Sequence, residues 1–116
     1  MTEQTFGSVN EENVFKALNA LKIPFEYQYE ILGGRSRAGG YVLDFLADVA
    51  PQPIPIQVQG AYWHGGSMAP YEAFEIAQIQ EYAKWVGWGM PVLLEENETT
   101  TYDRAFYAIR EKVGVG

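Results

Sequence analysis

The stretch from Phe25 to Gly60 constrains the fold most, because three short extended segments there are separated by a glycine-rich loop and a proline-rich turn. Residues 25–32, Phe-Glu-Tyr-Gln-Tyr-Glu-Ile-Leu, alternate aromatic or apolar with polar, the period of a strand with one buried face. Gly33 to Gly40 is bounded by glycine pairs and carries Arg35 and Arg37, so it reads as a hairpin-like loop. Tyr41 to Val49 is a second, mainly apolar strand with Asp44 inside it. Ala50 to Pro55 contains three prolines and reads as a turn, and Ile56 to Gly60 as a short, central third strand.

The flanking segments have helical periodicity. Residues 8–22 begin with Ser8 or Asn10 as N-cap, place Glu11 and Glu12 in the first turn, and present Val14, Phe15, Leu18 and Leu21 as an apolar stripe. Pro24 stops that helix. Residues 61–70 read as a Gly-rich loop. Tyr71 to Trp85 forms a second helix, with Phe74, Ala77, Ile79 and Tyr82 among its apolar positions. Met90 to Leu94 is a fourth strand after the turn at Gly87-Trp88-Gly89. Thr99 or Thr101 caps a last helix, Tyr102 to Val113, with Phe106, Ile109 and Val113 on one face. The order α-β-β-β-α-β-α predicts an α/β fold.

Length and composition set the bounds. A chain of 116 residues reads as one domain, and 47% apolar with 15% aromatic residues can build a packed core. With no cysteine, thiolate metal sites, disulfide scaffolds and cysteine nucleophiles are excluded, which suits a reducing, cytoplasmic setting. The first residues show neither a basic nor an apolar signal region, and no apolar run approaches the roughly 18 residues of a membrane span. The net charge of −7 counts against a nucleic-acid partner unless a cation or a basic patch reverses the sign locally.

Four positions carry candidate chemistry. Asp44 lies between Leu43 and Phe45, where a carboxylate is costly to bury without a metal, a cation or a proton; the alternative turns it to solvent or onto a backbone cap. Gln57 and Gln59 share one face of the third strand, either Asp44's face or the solvent side of an edge strand, and the pattern alone favours solvent. His64 is the single histidine and the first candidate for general-base work near neutral pH, although a lone loop histidine is more often a packed or surface residue. Glu11 falls in the sector of Val14, Phe15 and Leu18, so it either touches the sheet or only stabilises the helix start. No phosphate-binding glycine loop, Gly-x-Ser-x-Gly elbow or His-Glu-x-x-His is present.

The order of these features resembles the PD-(D/E)XK nuclease superfamily. A helix with an acid leads to a hairpin ending in Val-Leu-Asp-Phe-Leu. Then come a turn, Ile-Gln-Val-Gln-Gly, and Ala61-Tyr62-Trp63-His64. Within the superfamily the chain is most similar to the very-short-patch-repair endonucleases and related phage and homing endonucleases. The resemblance spans residues 8–94 and is most specific over Gln59 to His64. It implies a three-layer, restriction-endonuclease-like fold with a central mixed four-stranded sheet flanked by helices.

The resemblance also implies a metal-dependent DNA endonuclease using Mg²⁺ or Mn²⁺. Asp44 matches the metal-binding aspartate, joined by a backbone carbonyl, that of Val58, and by waters. His64 matches the histidine near the attacking water or the scissile phosphate, and Glu11 the helix glutamate. Gln57 sits where many members have a second acidic ligand, and Gln59 near the lysine position. Arg35 and Arg37 would reach the DNA backbone, and Trp63 would stack on or wedge beside a base. A solvated, charge-balancing loop for the arginines and core packing for Trp63 are the more ordinary readings. A homodimer or larger assembly would help a domain of this size grip a duplex.

The sequence departs from the family at Gln57, which is neutral, and at Gly65, where homing relatives often have an aspartate. Those departures and the net charge favour an alternative in which chemistry is lost and a DNA-binding or structural module remains, such as a phage assembly component. A third reading is a protein-interaction domain exposing Tyr62, Trp63 and Trp88.

Overall fold

A computed structural model describes residues 8–31, 33, 40–58 and 70–114, with side chains from residue 76 onward in the second helix. Elements follow the expected order: α1 (Val9–Ala20), β1 (Phe25–Ile31), β2 (Tyr41–Ala47), β3 (Ile54–Val58), α2 (Pro70–Val86), β4 (Val92–Leu94) and α3 (Tyr102–Val113), with a 3-10 turn at Glu96–Glu98. The chain is an α/β protein built on one four-stranded sheet in the order β1-β2-β3-β4. The β1–β2 and β2–β3 pairs are antiparallel, and β3–β4 is parallel, reached through α2.

Caps fix the helix ends. Ser8, not Asn10, caps α1: its hydroxyl accepts the Glu11 N–H at 3.1 Å. Thr101, not Thr99, caps α3, accepting the Arg104 N–H at 3.2 Å, and Gly114 closes that helix in the left-handed region at φ 81°. Gly87, at φ 85°, ends α2, and both it and Trp88 donate to the Ala83 carbonyl. Trp88 is thereby folded back onto Tyr82 and Tyr29, with centroids 5.3 and 5.9 Å apart, so it is half-buried rather than displayed. Of the two described tryptophans, Trp85 is the exposed one, at 80%.

One expectation fails at the proline turn. The strand after it begins at Ile54, so Pro55 belongs to β3 and is fully buried. Pro55 lies one residue before the parallel ladder starts at Ile56↔Val92, a position where a missing N–H costs little. The turn itself is shorter than its prolines suggested.

Two apolar clusters form around the sheet. One joins Val14, Ala17 and Leu18 of α1 with Ala105, Ile109 and Val113 of α3 over Phe45, Ala47, Ile56, Val58 and Leu94. Phe15 meets Phe25 edge-on at 5.0 Å, and Phe25 meets Phe45 at 5.6 Å, so aromatic packing seats α1 on β1 and β2. The other joins Ile79 of α2 to Ile31, Leu43 and Leu46. Full burial of one such aliphatic side chain stabilises by about 1.5–3 kcal/mol. Ala77, expected among the apolar positions of α2, is exposed.

A buried polar knot ties α1 to the turn before α3. Asn10 Nδ2 donates to Thr99 Oγ1 at 2.9 Å and to the Glu96 carbonyl at 3.1 Å, and Asn13 Nδ2 donates to the Thr99 carbonyl at 2.8 Å. Both Asn10 and Thr99 are buried, so these bonds offset a desolvation cost that would otherwise be about 1–3 kcal/mol per group.

Next to it, Lys112 Nζ donates to Glu98 Oε1 at 2.8 Å and to the Leu93 carbonyl at 3.1 Å, linking α3 to β4 and the 3-10 turn. Burial alone would raise the Glu98 carboxyl. The Lys112 hydrogen bond, the Glu95 N–H and the Lys112 charge outweigh it, and the net effect lies below the ordinary value of 4.5. A depressed carboxyl contributes stability that is present above its ordinary value and lost as pH falls through the folded-state value. Glu98→Gln is therefore expected to lower stability at pH 7 by roughly 0.5–1 kcal/mol, and by less at an acid pH below the carboxyl's folded-state value. Urea unfolding at the two pH values checks this, and a penalty equally large in acid would contradict it.

Candidate functional site

Asp44 sits where the β2–β3 ladder ends and where the β1–β2 ladder skips one pair before continuing. Toward β3 the antiparallel ladder covers only Phe45↔Ile56, Leu46↔Pro55 and Ala47↔Ile54. One step further, side chains take over. The Asp44 N–H donates to Gln57 Oε1 at 2.7 Å, and the Val58 N–H donates to Asp44 Oδ2 at 2.7 Å. Each strand thus satisfies the other's backbone donor with a side-chain oxygen, which keeps the polar groups paired while inserting side-chain atoms between the backbones.

Toward β1 the register passes from Tyr27↔Phe45 to Tyr29↔Leu43. Gln28, between those partners, has φ 56°, in the left-handed region that non-glycine residues seldom occupy. Leu43 and Phe45, two residues apart, would normally share a face, yet they belong to different apolar clusters. The strand pair therefore changes orientation at Asp44. Such local strain, of order 1–3 kcal/mol, is most often stored at functional positions.

Burial separates the two partners of the exchange. Gln57 is buried at 8% exposure, which corrects the solvent-facing placement favoured by the strand pattern. Asp44 is half-buried. A half-buried carboxylate held by a backbone N–H is a directed acceptor, able to hold a proton donor or share a cation. The hydrogen-bond donors also fix the amide orientation of Gln57, because the Asp44 N–H requires the oxygen end of that side chain.

Glu11 does contact the sheet. Tyr27, on β1, donates its hydroxyl to Glu11 Oε1 at 2.7 Å, and Gln28 Nε2 lies 3.4 Å from the same hydroxyl. Tyr27 pairs with Phe45, the neighbour of Asp44, so helix acid and strand acid are attached to adjacent rows of the sheet. Tyr27 was not among the residues singled out from sequence. Its place as an inward aromatic of β1 gave the only signal.

The other expected site residues fall outside the described residues. These are Gln59, Trp63 and His64 after β3, and Arg35 and Arg37 in the glycine loop. Among the described residues no group of three or more His, Asp or Glu side chains is placed to hold a metal ion. The fit to a hard cation is therefore that of one anchor. Asp44 supplies one carboxylate beside the Val58 backbone, whereas Mg²⁺ completes an octahedron, mostly with water and phosphate oxygens. No described helix is long and apolar enough to cross a membrane.

No protein-family model, curated protein or solved structure matches this chain.

Removing the Tyr27 hydroxyl isolates its contribution. Tyr27→Phe is expected to cost about 0.5–1.5 kcal/mol in urea unfolding, with an unchanged denaturant slope, because a partly exposed bond to a carboxylate is lost without creating a cavity. An unaffected midpoint would mean that Glu11 is not held by β1 in solution.

Proposed function

We propose that this chain is a PD-(D/E)XK-type domain with a restriction-endonuclease-like fold, hydrolysing DNA phosphodiester bonds in a metal-dependent reaction centred on Asp44. The observation that carries this reading is the side-chain exchange between Asp44 and Gln57 where β2 and β3 stop pairing. It leaves a half-buried acid at the sheet's opening, close in sequence to the Gly-Ala-Tyr-Trp-His segment that follows β3. Glu11, held to the adjacent β1 by Tyr27, agrees with the helix acid of that superfamily.

In this reading Asp44 and the Val58 carbonyl would hold Mg²⁺ or Mn²⁺. The cation, when bound, supplies Lewis-acid charge against a non-bridging phosphate oxygen. Asp44 would place that cation, and the orientation of its carboxylate is set by the Val58 N–H. His64 accepts a proton from the attacking water or holds that water in line. Arg35 and Arg37 contact phosphates of the DNA backbone, and Trp63 packs against a base. A second copy of the chain would extend the grip on the duplex.

The neutral Gln57 and the net charge of −7 favour a second reading, a DNA-binding or structural module in which cutting has been lost. The two part in one experiment. Purified protein is incubated with plasmid and Mg²⁺ or Mn²⁺, with an EDTA control, and Asp44→Asn and His64→Ala are run beside it. The nuclease reading expects metal-dependent nicking, reduced about 100-fold or more in each variant while both remain folded. Nicking that survives both substitutions rejects this site. Absence of nicking with salt-sensitive DNA binding supports the module, because phosphate contacts impose a steep salt slope.

A further inference from the structure

Gln57 occupies the position where the resemblance would put a second acidic ligand, and its geometry points to a different task. We infer that Gln57 is a positioning residue: its amide oxygen holds the Asp44 backbone, and its neutrality lets the sheet close at this point without a cation. The inference rests on Asp44 being the reacting centre, as proposed above, but its structural half can be tested without any reaction.

Three observations lead there. The first is direction. Gln57 Oε1 is already engaged by the Asp44 N–H at 2.7 Å, a short bond for an amide pair, and it is used to hold backbone rather than to face a ligand. The second is reciprocity. Asp44 Oδ2 accepts the Val58 N–H, so the two side chains cross between the strands, each fixing the chain that carries the other. Rotating the Gln57 side chain away would break this bond to the Asp44 N–H and loosen the strand from which the carboxylate projects. The third is burial. Gln57 is 8% exposed and Asp44 is half-buried, so a carboxylate at position 57 would set two like charges close together in a poorly solvated spot. Such a pair is strongly disfavoured until a cation or a proton neutralises it.

An amide solves the geometric problem without creating the electrostatic one. It offers the same acceptor at the same distance, it carries no charge, and it makes the position of Asp44 independent of whether a cation is present. The site then carries one carboxylate, permanently placed, in place of two that assemble around an ion.

The test uses the whole chain and three readouts. In the metal-free protein, hydrogen exchange followed by NMR should show the Asp44 amide protected like an interior strand amide. Gln57→Leu should lower that protection about tenfold, and Gln57→Glu, which restores an acceptor, should recover it once Mn²⁺ is added. Thermal unfolding gives the second readout. With millimolar Mn²⁺ the melting temperature of Gln57→Glu should rise by several degrees more than that of the native chain. The third is nicking: Gln57→Leu should lower kcat while leaving KM for DNA little changed.

A ligand role for Gln57 predicts the opposite pattern: unchanged Asp44 protection in Gln57→Leu, with weaker Mn²⁺ binding. That pattern would overturn the inference. If Gln57→Leu does not fold, the native chain still decides, because an Asp44 amide exchanging as fast as an exposed loop amide refutes the bond. A protein that shows the protection pattern but never nicks DNA would retire the nuclease reading and leave the positioning of Asp44 standing.

Discussion

The sheet depends on a reciprocal exchange in which Asp44 and Gln57 each satisfy the other strand's backbone. Without it, two N–H donors at the end of the β2–β3 ladder would lose these side-chain acceptors in a region where Leu43, Phe45 and Gln57 are all buried. An unpaired buried donor costs about 1–3 kcal/mol, a large fraction of the stability of a small domain. The carboxylate at this position is therefore part of the fold's hydrogen bonding as well as the best candidate for chemistry. Structural and functional demands meet on the same atoms.

The surroundings serve that arrangement. On the β1 side Gln28 takes up a left-handed backbone opposite Asp44, and the strand pair reorients so that Leu43 faces the α2 cluster while Phe45 faces α1 and α3. On the β4 side, the Asn10–Thr99 knot and the Lys112–Glu98 bridge fasten α1, α3 and β4 together just beyond the rows where Leu93 and Leu94 pair with Gln57 and Val58. Rigid support around a locally irregular strand end is what a preorganised site requires.

Much of this was legible in the sequence, and the parts that were not have physical causes. The last helix spans Tyr102 to Val113 as its apolar face predicts, although the sequence leaves the cap open between Thr99 and Thr101 and only the structure decides for Thr101. Asp44 stood out because a charge inside an apolar strand needs an explanation. Gln57 was misplaced on the solvent side because strand periodicity gives two faces without saying which is covered, and only the β2–β3 register resolves it. Pro55 was assigned to the turn because proline suggests a break, although the second position of a strand tolerates it. The interaction-domain alternative needs Trp88 displayed, but the turn at Gly87 returns it to Tyr82, a tertiary effect that local spacing does not encode. The Tyr27–Glu11 bond was half-visible: the helical wheel aimed Glu11 inward but could not name what it would meet.

The claim at the centre is that Asp44 and Gln57 act as one energetic unit, and a double-mutant cycle measures that directly. Stabilities are determined for the native chain, Asp44→Ala, Gln57→Leu and the double variant under metal-free conditions. The account predicts a coupling energy of at least about 1 kcal/mol, since removing either partner already breaks the exchange. Additivity of the two single losses would show that the residues act separately and would contradict it.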